Sequence, residues 1–312
     1  GIRELEKLRI IEIIESRFFK VYSREILHIM SIYFDRRTDS FRRSTISRIQ
    51  EVTKDKKLDN ERALLYNANT ARISRNEEEV IRLYRSILNR ETSPFEVKTQ
   101  SILNLTDYLF NNRGKRDEAI KVFRDYEHLF PLEPTVARMH SMYCWATGRQ
   151  MDSIQILLDL VVKKPKQVME DRNTRIEILG LLLMYRAIDA IQERESLKEK
   201  RRYGEIDPDK YMTEYDKTKS LFREICEKNG KVLLNELQKI QDLSALSSGA
   251  RQNSITGLYQ YVNLNIRLRR FRDGIRICEF VLDKFPTHFH DQFKGDRKSK
   301  RLNSSHLGIS YA

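Results

Sequence analysis

The stretch Gly114-Lys-Arg-Asp-Glu-Ala119-Ile-Lys-Val-Phe123, closed by Phe130-Pro131, is followed 34 residues later by Gly148-Arg-Gln-Met-Asp-Ser153-Ile-Gln-Ile-Leu157 and Pro165. A fixed period of this size marks a helix-turn-helix array, because a lone helix pair cannot bury its apolar face and must stack on a copy of itself. Each repeated residue has a mechanical part. Gly114 and Gly148 turn the chain, and the small Ala119 and Ser153 let two helices approach. Phe123 and Leu157 fill the gap one turn later, while Pro131 and Pro165 end the second helix for want of a backbone N–H.

The composition agrees with this pattern. Among 312 residues there are only 11 Gly and 6 Pro, too few for the turn-rich habit of an all-β chain. The fold class expected is all-α: a solenoid of helix-turn-helix repeats with a long helical hairpin inserted. Cys144, Cys226 and Cys278 are far apart and odd in number, which offers neither a disulfide framework nor a metal knuckle and points to a reducing, cytoplasmic setting. The longest apolar stretch, Ile176 to Met184, is broken by Glu177 and Gly180 and is far shorter than the ~20 residues that span a bilayer, so no membrane partner is expected.

Within the array, Ile102 to Pro134 resembles a tetratricopeptide repeat on the strength of Gly114, Ala119, Phe123 and Pro131. Thr135 to Pro165 is similar, with Gly148, Ser153, Leu157 and Pro165. Glu61 to Thr92 keeps Leu64, Ala68, Val80, Tyr84 and Ile87, and Ile255 to Pro286 keeps Leu258, Gly274 and Pro286, the last two spaced as Ala119 and Pro131 are. The array is divergent. Where the family motif has Trp, then Leu-Gly, then Tyr on its first helix, this chain has Leu103, Thr106-Asp107 and Phe110.

The organisation read from the pattern is a non-repeating helical segment over 1–55, three repeats over 60–167, a long helical hairpin over 168–248, a final repeat over 250–290 and an unstructured tail over 294–312. The hairpin is read from Asp171 to Arg202, where Gly180 is the one Gly and Pro is absent. Asp207 then caps and Pro208 opens a second helix to about Leu243, interrupted near Asn229-Gly230 and ended by the Ser-rich run Ser244 to Gly249. Residues 296–312 resemble translated sequencing-adapter DNA. The tail from Lys294 onward carries five basic residues against Asp296, a net +4 of the chain's +13, so the remainder stays basic at +9. A start without Met inside a helical pattern leads to the expectation of a fragment, by analogy of architecture the sensor or interaction region of a larger bacterial signalling protein.

The resemblance implies a protein or peptide partner held on a concave surface lined by successive first helices. Repeat phase places Asn67, Thr70, Thr106, Asp107, His140 and Ser141 there. The alternative is nucleic acid, bound by basic clusters at Arg36, Arg37, Arg42 and Arg43, at Lys198, Lys200, Arg201 and Arg202, and at Arg267, Arg269, Arg270 and Arg272. The plainer account of those clusters is solvated helix faces with carboxylates such as Glu193 and Glu195 at helical spacing. No phosphate-binding loop, dinucleotide fingerprint or nucleophile elbow occurs, and His288-Phe-His290 lacks further ligands, so no catalytic residue, metal or cofactor is assigned and the chain is not read as an enzyme. Glu78-Glu79 reads as a helix start and Trp145 as a packing residue.

Overall fold

The computed structural model describes residues 60–73, 76–163, 168 and 170–285. The expectations for the N-terminal segment, Pro165, Pro286, the two histidines at 288 and 290 and the tail lie outside the described residues. Among those residues every regular element is helical and there is no strand. They fall into two compact units that divide between Pro131 and Leu132.

In the first unit, α1 (Asn60–Ile73), α2 (Glu77–Asn89), α3 (Phe95–Asp107) and α4 (Arg116–Asp125) pack in sequence, and α1 also touches α3. Asn76 caps α2 by accepting from the Glu79 N–H at 3.3 Å, and Glu77, Glu78 and Glu79 occupy its first turn, where negative charge meets the positive end of the helix dipole. Val80, Leu83, Tyr84, Ile87 and Leu88 give α2 its buried stripe. Helix α3 begins seven residues before the expected repeat boundary, with Pro94 at its N-cap, and continues as a π turn over Tyr108–Asn112. Ala119 and Phe123 are buried, as their mechanical reading requires. Pro131 does not end α4. That helix stops at Asp125 and tightens into a 3₁₀ turn, Glu127–Leu129, through Leu129 N–H to Tyr126 C=O and Phe130 N–H to Glu127 C=O bonds, and the proline follows this turn.

In the second unit, α5 (Pro134–Ala146) and α6 (Gln150–Lys163) pair across a turn at Thr147–Arg149. Then come α7 (Arg172–Arg202), α8 (Pro208–Ile225), a π turn over Cys226–Gly230, α9 (Lys231–Gln238), α10 (Ser248–Arg267) and α11 (Phe271–Lys284). Asp171 and Asp207 cap α7 and α8, each accepting from two backbone N–H groups. The Ser-rich run read as a stop is a start: Ser247 caps α10, accepting from the Ala250 N–H at 3.1 Å.

Helix α7 is the spine of this unit. Ile178, Leu181, Leu182 and Tyr185 pack into one core with Ile154, Leu157 and Leu160 of α6, and Trp145 of α5 stacks on Tyr185 at 4.2 Å. On another face, Ile176, Leu179, Leu183, Ala187 and Ala190 join a second core with Phe222, Leu233, Leu258, Leu264, Ile277 and Val281. A helix buried on two faces must be apolar almost all round, which is what the run Ile176 to Met184 encodes. The hairpin is therefore integral to the core at its base rather than an appendage. Farther along, Arg194 is buried with its guanidinium carbon 4.1 Å from the Tyr215 ring and 5.0 Å from that of Phe222, and it donates to the Tyr215 hydroxyl.

Two backbone devices recur. Gly148, Gly204 and Arg269 have left-handed φ of 79°, 73° and 60°, and the next residue's N–H reaches back five positions, Arg149 to Cys144, Glu205 to Lys200 and Arg270 to Asn265, each at 2.8 Å. Gly114, at φ 66°, is followed by a Lys115 to Leu109 bond that spans the π turn. The second device is a close crossing: a Cβ on Gly180 would stand 2.6 Å from the Asn253 carbonyl oxygen of α10, and one on Gly257 would stand 2.8 Å from that of Gly180.

These observations assign opposite signs to similar substitutions. Gly257→Ala should lower the unfolding free energy by about 2 kcal/mol or more through forced separation of backbones. At Gly274 an added Cβ meets Val262 at 3.9 Å, an ordinary contact, so Gly274→Ala should raise stability by about 0.5–1 kcal/mol through helix propensity. Urea unfolding followed by circular dichroism reads both.

Candidate functional site

The first unit carries a buried polar ladder between its alternate helices. Asn69 on α1 is 8 % exposed and Asn104 on α3 is 5 % exposed. The Asn104 Nδ2 donates to Asn69 Oδ1 at 3.2 Å, the Tyr84 hydroxyl of α2 donates to the same oxygen at 2.5 Å, and Gln100 Nε2 donates to Asn104 Oδ1 at 2.8 Å. Burial pushes the Tyr84 phenol upward from its ordinary value, so its hydroxyl is a protonated donor throughout the physiological range. One turn along, Arg72 Nη2 meets Asp107 Oδ2 at 2.5 Å, with the Arg72 side chain 11 % and Asp107 33 % exposed.

Asp107 is the junction between ladder and surface. Its second oxygen accepts from Asn111 Nδ2 at 2.7 Å, and the Arg72 guanidinium carbon lies 5.9 Å from the Tyr108 ring. Arg113 approaches the same ring at 5.2 Å and donates through Nε to the Tyr108 hydroxyl at 2.8 Å. Arg113 also faces Glu77 at 3.4 Å, and Lys115 bonds Glu77 as well, which together hold that carboxyl below its usual range, the Lys115 hydrogen bond contributing most. The result is a half-exposed strip of alternating charge and aromatic surface along the C-terminal ends of α1 and α3. Such a strip can orient backbone amides or charged side chains of a bound segment.

The six residues placed by repeat phase separate. Asp107 is in the strip. Asn67 is exposed, but it stands two positions before Asn69 and so on a different side of α1, and Thr70 is half-buried. Thr106 is fully buried, donating to the Ile102 and Leu103 carbonyls at 2.7 and 3.2 Å, and therefore lines no surface. Ser141 is also fully buried. It contacts the Ser153 hydroxyl at 2.9 Å and carbonyl at 3.0 Å, so it belongs to the close crossing of α5 and α6. His140 is half-buried on α5. Repeat phase failed at Thr106 and Ser141 because a helix packed on several neighbours hides more of its circumference than one stripe.

Of the residues missed, Arg72, Asn111 and Arg113, only Arg72 had a signal. Asn69 precedes Asn104 by 35 positions and Arg72 precedes Asp107 by 35. Polar side chains spaced within one residue of the 34-residue period are placed to meet between neighbouring first helices. Elsewhere, within the second unit, Arg138 of α5 meets Glu177 of α7 at 2.6 Å, 39 positions on.

Among the described residues no group of three or more His, Cys, Asp or Glu gathers as metal ligands do, and no helix is long and apolar enough to cross a membrane. Cys226 is buried and its thiol is pushed up to about 12 by desolvation, so it stays protonated. Comparison with protein-family models, curated proteins and solved structures gives no match for this chain.

Tyr84→Phe should cost about 1–2 kcal/mol, because Asn69 loses a donor inside the protein. A double-mutant cycle of Arg72→Ala and Asp107→Ala, read by chemical denaturation, should return a coupling of about 1 kcal/mol; additive effects would place the two groups apart.

Proposed function

We propose that this chain is a helical-repeat scaffold that binds a protein or peptide, a divergent α-solenoid of the tetratricopeptide type. The observation that carries the reading is the pair of polar contacts 35 residues apart, Asn69 with Asn104 and Arg72 with Asp107, between α1 and α3. Nearly equivalent positions, one residue off the 34-residue period, meet in this way when repeats stack. The recurrent left-handed turns at Gly114, Gly148 and Arg269 and the buried small residues Ala119, Ser153 and Gly274 support the same reading. The binding surface is the strip formed by Asp107, Asn111 and Arg113.

A selection of displayed peptides against the full chain tests it. Enriched peptides should lose at least about tenfold in affinity, near 1.4 kcal/mol, on Asn111→Ala combined with Arg113→Ala, and little on Met151→Ala, an exposed residue of the other unit. Failure to enrich any peptide, or affinity insensitive to the strip substitutions, would sink the reading.

Nucleic acid binding is the second reading, favoured by one feature: Lys200, Arg201 and Arg202 are exposed at the end of α7 beside exposed Tyr203. Against it, neighbouring cations are already compensated. Lys198 and Arg267 both bond Glu195, and Arg270 meets Glu227 at 3.2 Å. A polyanion interface would show affinity falling steeply and linearly with salt on a double-logarithmic plot, whereas peptide binding to the strip should show a shallow slope.

A further inference from the structure

We propose that the outer face of α11 is a homodimer interface, on which a second copy of α11 packs antiparallel across a twofold axis. Helix α11 buries Gly274, Ile277 and Val281 against α10. Beside that face runs a second apolar stripe, Phe271, Ile275, Cys278 and Leu282. Three of its members remain exposed, Phe271 at 56 %, Ile275 at 56 % and Leu282 at 51 %, while Cys278 is half-buried. The spacing of four, three and four is that of a two-helix seam, in which such residues interlock with those of a facing helix.

The charges bordering the stripe say which helix fits. On its solvent side stand Arg272 and Arg276 toward the N-terminal end and Glu279 and Asp283 toward the C-terminal end. Like charges four apart repel within one helix, and cations at the N-terminal end with anions at the C-terminal end oppose the helix dipole. Among the described residues Asp283 pairs only with its neighbour Lys284, at 3.3 Å. An antiparallel copy reverses the order, so that Arg276 faces Glu279 of the other copy and Arg272 faces its Asp283, twice over by symmetry. Phe271 then lies by the other copy's Leu282 and Ile275 by its Cys278. A parallel twofold pair would instead turn this charged flank toward the other copy's opposite flank, that of Gly274, Ile277 and Val281, which is already buried against α10. The surface is thus complementary to itself in one orientation, as a twofold interface must be.

Sedimentation equilibrium of the full chain should show a monomer–dimer equilibrium. Ile275→Glu should weaken it at least tenfold, and Arg276→Glu alone should do the same by placing two glutamates together. Combining Arg276→Glu with Glu279→Arg should restore dimerisation. These positions are exposed, so helicity by circular dichroism should stay unchanged in each variant. A monomer at all concentrations, as when another segment of the chain or a different protein covers the stripe, overturns the proposal. So does a dimer indifferent to Ile275→Glu, or one that the charge exchange fails to restore.

Discussion

The second unit depends on two helices touching through their backbones. Gly180 of α7 and Gly257 of α10 are each placed where a methyl group would collide with main-chain atoms of the other helix, at 2.6–2.8 Å. Two interior glycines cost a helix pair about 1 kcal/mol each relative to alanine. Their presence is explained by what close approach permits. With Ala250 and Ser254 also buried along α10, the larger side chains on both sides of the crossing interlock in one core. The Tyr261 ring lies against Gly230, where a Cβ would come within 2.5 Å of it, so the π turn over Cys226–Gly230 is held by the same helix. Move α10 outward by one methyl radius and the contacts of Leu258, Tyr261 and Leu264 are lost together, which makes the crossing worth more than its own area.

The first unit solves register differently. Its alternate helices meet through amides and an ion pair, where the net gain per hydrogen bond is only about 1 kcal/mol but the loss on leaving a buried group unmatched is about 1–3 kcal/mol. Asn69 Oδ1 accepts from both Tyr84 and Asn104. Sliding α3 by one turn along α1 would strip that oxygen of its Asn104 donor and separate Arg72 from Asp107. Apolar side chains alone would tolerate the slip. The polar ladder penalises the wrong register more than it stabilises the right one.

How much of this was legible follows from the range of each interaction. The turns at Gly114 and Gly148 were readable because left-handed φ is a local demand that glycine meets at little cost. The cap at Asp207 and the single helix from Arg172 to Arg202 were readable because they too are local demands, whereas the cap at Asp171 was not singled out. Pro131 misled because a proline forbids helix beyond itself but does not fix where helix stops before it; i to i+3 bonds ended α4 at Asp125. Ser247 misled because serine serves equally after one helix and at the start of the next. The site was the least legible part. A polar residue on a first helix reads as surface, yet Thr106 returns its hydroxyl to its own helix and Ser141 gives its hydroxyl to Ser153. The 35-residue spacing of Asn69 from Asn104 and of Arg72 from Asp107 stood in the sequence, but it acquires meaning only once α1 and α3 are known to touch.

Arg194 shows where the hairpin passes from one regime to another. Up to Ala190, α7 is fixed by cores on two faces; beyond it only Arg194 and Leu197 are buried on that helix. No carboxylate among the described residues pairs with Arg194. Its charge is met by the ring faces of Tyr215 and Phe222 and by the Tyr215 hydroxyl. Cation–π attraction of about 2 kcal/mol per desolvated ring is of the same order as the several kcal/mol needed to strip a guanidinium of water, so the clamp roughly breaks even. A leucine there would extend the core at no such cost. An arginine, planar and bound by rings, instead holds α8 at a set angle while adding little cohesion, so the end of the hairpin past Leu197 rests on its own helical hydrogen bonds and on the capped turn at Asp207. Among the described residues, its geometry is fixed with little stabilising energy behind it.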